Sequence, residues 1–392
     1  MGHIHIWAKI AALAPSIANF FSHAPIFENI AKFAADVHPN RTIPSFAPYT
    51  FKSWFEKRKS ADLSEPSALA DGFSSEKSGS NGLTLNPTAN AGGSDTSRKS
   101  KVILWADTFN NHFHPQTAQA AVEVLEAAGF RVIVPKQNLC CGRPLYDWGM
   151  ITEAKVLLKQ ILDTLETEIE NGTPIVVLEP SCATVFKEEL LNLFPTDENA
   201  KRLAAQTFLL SNFLEQKAKH FQLPKLKTKA LLHGHCHQKS IFKMDDEEAV
   251  LKRMGVDFQA PETGCCGMAG AFGFEREHYD VSMKCGERVL LPAVRKAEKD
   301  CLIITSGFSC HEQIAQTTER KALHLAQVIQ MALRQTESDG EISEQKYLAR
   351  HTPEAAMSTT GKALLVGTGL LAVGGIFVLG RSIFSRFGNK SE

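Results

Sequence analysis

Two adjacent-cysteine pairs, each followed by glycine, occupy matching places in an internal repeat and constrain this chain more than any other feature. They are Cys140-Cys141-Gly142 and Cys265-Cys266-Gly267. The first follows the apolar run Arg131-Val132-Ile133-Val134, the second Val256-Asp257-Phe258-Gln259. Beyond each doublet comes another apolar run and another cysteine: Ile175-Val176-Val177-Leu178 then Cys182, and Leu302-Ile303-Ile304 then Cys310. A third run precedes each doublet, Val102-Ile103-Leu104 in one half and Ala230-Leu231-Leu232 in the other. Aligning those runs sets Cys236 opposite Thr108.

Between the short apolar runs lie long helical stretches, residues 116–128 in the first half and 274–290 in the second. Such alternation predicts an α/β fold of two tandem repeats, each a small parallel sheet with crossover helices. Ligand crevices of open parallel sheets form at the carboxyl ends of the strands. Cys236, Cys265, Cys266 and Cys310 all follow strand-like runs, so they are expected to meet at one sheet edge. The same reasoning gathers Cys140, Cys141 and Cys182 at the other. Thiolates ligate iron–sulfur clusters and zinc. The surrounding glycines Gly264, Gly267, Gly270 and Gly273 let backbone N–H groups approach a sulfide-rich anion.

Other readings of the cysteines are weaker. A lone cysteine is usually a small core residue, and Cys285, inside a helical stretch, and Cys301, opening a strand, read that way. Directly adjacent cysteines cannot easily bridge each other, because a disulfide wants Cα atoms about 5.5 Å apart. The count of nine is odd, and residues 1–21 lack a basic leader and cleavage site, reading as helix; a reduced, cytosolic setting follows. Four thiolates at Cys236, Cys265, Cys266 and Cys310 would also satisfy a tetrahedral zinc that only stabilises the fold. Among the histidines, His235 and His237 are candidates to support the metal, and His233 reads as structural, since strand alternation opposes all three to Cys236. His3 and His5 have no role assigned, and residues 275–278 read as a solvated helix face.

At these residues the sequence resembles the cysteine-rich CCG-domain family, which includes a heterodisulfide reductase subunit and the iron–sulfur subunits of glycolate, lactate and glycerol-3-phosphate oxidoreductases. The resemblance runs over residues 101–333 through Pro135-Lys136-Gln137, Cys140-Cys141-Gly142-Arg143-Pro144-Leu145-Tyr146, Glu179-Pro180-Ser181-Cys182, His235-Cys236-His237 and Glu262-Thr263-Gly264-Cys265-Cys266-Gly267-Met268-Ala269-Gly270. Upstream, Arg41-Thr42-Ile43-Pro44-Ser45-Phe46-Ala47-Pro48 and Thr50-Phe51-Lys52-Ser53-Trp54-Phe55 look like the connector that joins a ferredoxin-like module to such repeats in large FAD-linked oxidases. The resemblance implies cluster ligands at Cys140, Cys141, Cys182, Cys236, Cys265, Cys266 and Cys310. Thr108 stands where the family has a leading cysteine, and Glu179 and Gly307 stand where it has a further cysteine of a trailing pair. One 4Fe-4S-type cluster, chiefly in the second half, is therefore expected.

The implied function is an iron–sulfur electron-transfer component, an oxidoreductase subunit without its own flavin site, passing electrons from a flavoprotein that oxidises a 2-hydroxy acid or similar alcohol toward quinone. Partners implied are an FAD-linked oxidoreductase subunit and a ferredoxin-like subunit. Direct thiol–disulfide reduction, as in heterodisulfide reductase, is the alternative within the family. No G-x-G-x-x-G opens a helix after a strand. With 43 basic and 43 acidic residues and no basic stripe, nucleic acid is not an expected partner.

The expected organisation is a helical connector at 1–59, a Ser- and Gly-rich flexible linker at 60–100, repeats at 101–226 and 227–335, a polar linker at 336–362 and a transmembrane helix at 363–380. That last run carries no charge and is flanked by Lys362 and Arg381. At 1.5 Å per residue it spans about 27 Å, close to the hydrocarbon thickness of a bilayer. A membrane-anchored protein whose main domain faces the cytoplasm is the expected arrangement.

Overall fold

A computed structural model describes residues 2–64, 99–335 and 343–352. The apolar run at 363–380, the polar linker at 336–342 and 353–362, and most of the linker at 60–100 lie outside the described residues.

Among the described residues, seven strands form two parallel sheets. In the first half β1 (Lys101–Trp105), β2 (Arg131–Ile133), β3 (Ile175–Val177) and β4 (Thr207–Leu209) lie in the order β2-β1-β3-β4. In the second, β5 (Lys229–Leu232), β6 (Asp257–Gln259) and β7 (Leu302–Ile304) lie in the order β6-β5-β7. The registers match: Val102 pairs with Val132 and Leu104 with Val176, as Ala230 pairs with Phe258 and Leu231 with Ile303. A parallel bridge between Ile304 and Leu323 stands where β4 stands in the first half. In both sheets the strand order reverses, between β1 and β3 and between β5 and β7, which puts a crevice at their carboxyl ends.

The sheets share one core. Val102, Leu104 and Val176 of the first half pack in the same cluster as Ala230, Leu232, Leu302 and Ile304 of the second. The helix Pro115–Ala127 and the helix Leu325–Arg334 lie against each other across this seam, the latter burying Leu325, Val328 and Ile329 on one stripe. His324 caps it: its Nδ1 accepts from Ala326 N at 3.0 Å, and its ring also meets the Leu178 carbonyl at the end of β3, at 3.2 Å. One imidazole thus staples the two halves.

Ahead of the repeats, α1 (Ile4–Ala11), α2 (Pro15–His23), α3 (Pro25–Ala34) and α4 (Phe51–Ser64) form the helical N-terminal segment. Phe51 and Phe55 bury in the shared core, so the connector is fastened to the first half. Among the described residues no single helix is long and apolar enough to cross a membrane; α1 and α2 reach the required composition together but are bent by 114°.

Residues 274–290 do not form the single helix that the sequence suggests. A short 3-10 turn, Phe272–Phe274, is followed by the helix Tyr279–Glu287 and then by Leu290–Lys296. Pro292 explains the second break, because proline lacks an N–H and is tolerated only in the first turn of a helix. Nor are residues 275–278 a solvated helix face. Glu275 bridges Val37, Arg276 N donates to Asp36 O at 3.1 Å, and the His278 ring stacks on Phe272. Docking of the N-terminal segment takes the backbone groups that a helix would have used.

Candidate metal centre

Three loops of the second half converge beyond β5, β6 and β7. The chain leaves β5 at Leu232 and has already turned at His235, so strand alternation no longer separates the histidines from Cys236. The ligand atoms of His235, Cys236 and His237 all lie within 4.8 Å of one another. Cys265 and Cys266 follow β6, and Cys310 sits in the first turn of the helix Phe308–Thr317. Their thiols make a continuous row, Cys236 against Cys265, Cys265 against Cys266, and Cys266 against Cys310. Contact with Cys265 raises the Cys236 and Cys266 thiols, and burial adds to both. The same contacts lower Cys265 and Cys310. His235 acts to lower both of the latter, and His233 lowers Cys310.

Backbone geometry supports the row. Gly267 N donates to the Cys265 sulfur at 3.3 Å. Gly267 has φ +92°, and a Cβ there would lie 2.1 Å from the Ser282 carbonyl oxygen; only glycine permits both the turn and the close approach. His233, expected to be merely structural, is buried beside this site, its Nδ1 2.6 Å from Thr263 Oγ1. Gly307 is equally informative. A Cβ at that position would lie 2.2 Å from His235 Cδ2, so the imidazole fills the space that a cysteine of a trailing pair would need.

The first half repeats the plan with different chemistry. Asp107, just beyond β1, caps the turn Thr108–His112 by accepting from Phe109 N at 2.9 Å and Asn110 N at 3.0 Å. Cys140 and Cys141 follow β2, and Cys182 lies in the helix Pro180–Thr184 after β3. Cys141 Sγ and Cys182 Sγ are 2.9 Å apart; Cys140 touches Cys141 and the Thr108 hydroxyl. All three thiols are raised. Cys140 is pushed up by its contact with Cys141 and by burial. Contact with Cys140 lowers Cys141, but Cys182 and burial outweigh it. Contact with Cys141 lowers Cys182, yet burial and the acids Asp107 and Glu179 bring it to about 11. Burial and Glu179 in turn lift Asp107 to about 6.

Glu179 also reaches across the seam. One carboxylate oxygen accepts from Ser181 N at 3.2 Å and the other from Phe308 N at 2.8 Å, at the start of the helix that carries Cys310. Arg143, next to the first doublet, pairs with Glu189 at 2.6 Å and donates to Thr184 Oγ1 at 3.0 Å. Neither of the two cysteines read as packing joins a site. Cys301 is buried with its thiol 3.8 Å from Leu302 O, and Cys285, half-buried, backs Gly267, its Cβ 3.1 Å from where a Gly267 Cβ would stand. Arg41 reads in the sequence only as the first residue of the connector pattern; the N-terminal segment inserts it behind the second doublet, bonded to Gly273 O and Ser282 Oγ.

The second-half donor set suits a soft metal centre: four thiols from three loops, with a backbone N–H on sulfur. The first-half set has three thiols and a hydroxyl. Cysteine-bearing loops gathered twice at the carboxyl edge of a parallel sheet define a class of tandem cysteine-rich domain. The cysteine-rich domain CCG matches residues 107–187 and 231–315, the two stretches that carry these loops, so the chain carries that domain twice. It is similar to one subunit of the anaerobic glycerol-3-phosphate dehydrogenase of Escherichia coli, 26% identical over 245 residues, covering 60% of this chain and 60% of that one. Against D-2-hydroxyglutarate dehydrogenase of Pseudomonas putida it is 27% identical over 235 residues, 59% of this chain but 22% of that protein. Lactate utilization protein A of Bacillus subtilis is 27% identical over 244 residues, 58% of this chain and 98% of that one. The chain thus spans less than two thirds of the first two relatives and nearly all of the third.

Proposed function

We propose that this chain is an iron–sulfur electron-transfer component of a membrane-associated, flavin-linked oxidoreductase. The observation that carries the reading is the row of four thiols, Cys236, Cys265, Cys266 and Cys310, at the carboxyl edge of the second sheet. Relatives named as a dehydrogenase, a dehydrogenase subunit and a lactate utilization protein support an oxidoreductase role. A cluster bound there supplies one-electron transfer at a potential set by its ligands, hydrogen bonds and burial. Those four cysteines would hold it, preferably as a 4Fe-4S type, and Cys140, Cys141 and Cys182 would hold a second, thinner one. Gly267 N–H stabilises the negative sulfur of Cys265, and the buried Cys266 and Cys310 keep water from the inner side. Hydride chemistry belongs to a flavin on a partner, which would oxidise a 2-hydroxy acid or similar alcohol; electrons leave toward quinone, and residues 363–380 would anchor the protein at the membrane.

The test is partner dependence. The full-length chain, purified anaerobically, is expected to oxidise no 2-hydroxy acid alone. Adding the flavoprotein that co-purifies with it should bleach its visible absorbance and start dye reduction. Substrate turnover by the isolated chain, or an absorbance that no reduced flavoprotein bleaches, contradicts the proposal.

A further inference from the structure

Arg41 lies far from the repeats in sequence, in the segment between α3 and α4, yet it is only 1% exposed. Nε donates to Gly273 O at 2.7 Å and one terminal nitrogen, Nη2, to Ser282 Oγ at 2.8 Å; the guanidinium carbon stands 5.0 Å from the Tyr279 ring centroid. The other terminal nitrogen, Nη1, is buried with no hydrogen-bond partner. Among the described residues no carboxylate pairs with it. Glu312, the carboxylate that bears on it electrostatically, bonds Gln316 Nε2 at 2.8 Å instead. A guanidinium cannot shed its charge as a buried lysine can. A buried cation without an anion is costly, so this one points to a negative charge that the polypeptide alone does not supply.

The groups it grips show where that charge belongs. Ser282, held by Nη2, is the residue whose carbonyl oxygen would lie 2.1 Å from a Gly267 Cβ. Gly273, held by Nε, would carry its Cβ 2.8 Å from Met268 Cα. Arg41 therefore braces the back of the Cys265–Gly273 loop. Burial lowers its pKa, and Tyr279, Cys266 and Glu312 act against that.

We propose that Arg41 is the fixed counter-charge of the second-half centre and raises its reduction potential. The inference rests on the iron–sulfur reading above. Four thiolates outweigh the positive charge of the metal–sulfide core, and reduction adds one electron more. A buried cation stabilises the reduced, more negative form most, because attraction is strong where water is excluded. The N-terminal segment thereby contributes to the site from outside both repeats.

The experiment uses full-length protein, purified anaerobically, with Arg41→Gln, Arg41→Met and Arg41→Lys. Iron and sulfide content is measured first, then the midpoint potential by EPR-monitored titration. Arg41→Gln keeps a donor for Gly273 O but loses the charge; it and Arg41→Met should lower the potential by about 59 mV or more, a tenfold change in a one-electron equilibrium. Arg41→Lys should stay near wild type. Unchanged potentials in charge-free variants with full cluster content overturn the counter-charge role and leave Arg41 a structural brace. Wild-type protein without iron and sulfide instead overturns the iron–sulfur reading itself.

Discussion

The two halves of this molecule share a scaffold and differ in what surrounds their sulfurs. In the second half, histidines face the thiols: beyond the contact with Cys266, His233 and His235 both lower Cys310. In the first, acids face them: against the contact with Cys141, burial, Asp107 and Glu179 all raise Cys182, while Arg143 near Cys141 is an opposing charge. A metal needs thiolates, so neutral or cationic neighbours favour loading and carboxylates oppose it. The first half also replaces one thiol by the Thr108 hydroxyl, a poor soft-metal ligand. Glu179 has been turned to another task, capping the helix of Cys310 through Phe308 N. Duplicated architecture therefore does not imply duplicated chemistry. The difference teaches that the two halves offer a metal different donor sets, four thiols in one and three thiols with a hydroxyl in the other.

The largest effect should come from Cys266→Ser, which removes the sulfur that links Cys265 to Cys310. It is expected to abolish the second-half cluster absorbance and EPR signal, while Cys285→Ser leaves both largely intact; equal loss from the two would break the division between ligand and packing cysteines. Next is Gly307→Cys. The added side chain collides with His235, so cluster content should fall severalfold, and adding His235→Ala should restore much of it. Independent, additive losses would show that the two positions do not compete for one space.

Thr108→Cys sharpens the comparison from the other side. Its neighbours Cys140, Cys141 and Cys182 are already gathered, so bound iron should rise above wild type in proportion to first-half loading. No gain in iron would mean that the acids, rather than the missing sulfur, keep this site weak.

The smallest effect is in the staple between the halves. Burial holds His324 at about 3, with His311 adding to it. Its folded pKa lies below the unfolded value, so the unfolded state binds more protons and stability falls as pH drops from about 6.5 toward 3. At pH 5 this amounts to about 2 kcal/mol, at about 1.36 kcal/mol per unit. Asp107, raised to about 6 by burial, works oppositely, losing stability as pH rises from about 4 to 6. Thermal or urea unfolding of His324→Asn against wild type between pH 7 and pH 5 isolates the histidine: the variant's curve should be flatter. Parallel curves would remove His324 from the acid response.

Much of this is legible in the residues. Six of the seven described strands follow from the runs read in the sequence; β3 and β7, buried throughout, show the continuous hydrophobic stretch of a parallel strand covered on both faces, whereas β6 is exposed at Asp257 and Gln259. β4 escapes, being three residues entered directly from the helix Glu198–Gln206 with no turn signal between. The positions of Cys236, Cys265, Cys266 and Cys310 follow from their places after strands, whereas the roles of their neighbours do not. His233 and His235 look opposed to Cys236 only while the strand is assumed to continue. Arg41 cannot be placed at all from the chain, since its contacts with Gly273 and Ser282 span more than two hundred residues of sequence. Gly307 reads as a lost ligand; the fold shows that a histidine ring fills the space.

The central claim, one well-formed centre in the second half and an incomplete one in the first, is tested most directly by iron and acid-labile sulfide per chain in anaerobically purified full-length protein, compared with Cys236→Ser. The account predicts iron and sulfide for one full cluster, with only a minor first-half excess, and loss of nearly all of it in the variant. Two full sets in the wild type, or zinc without sulfide, would contradict it.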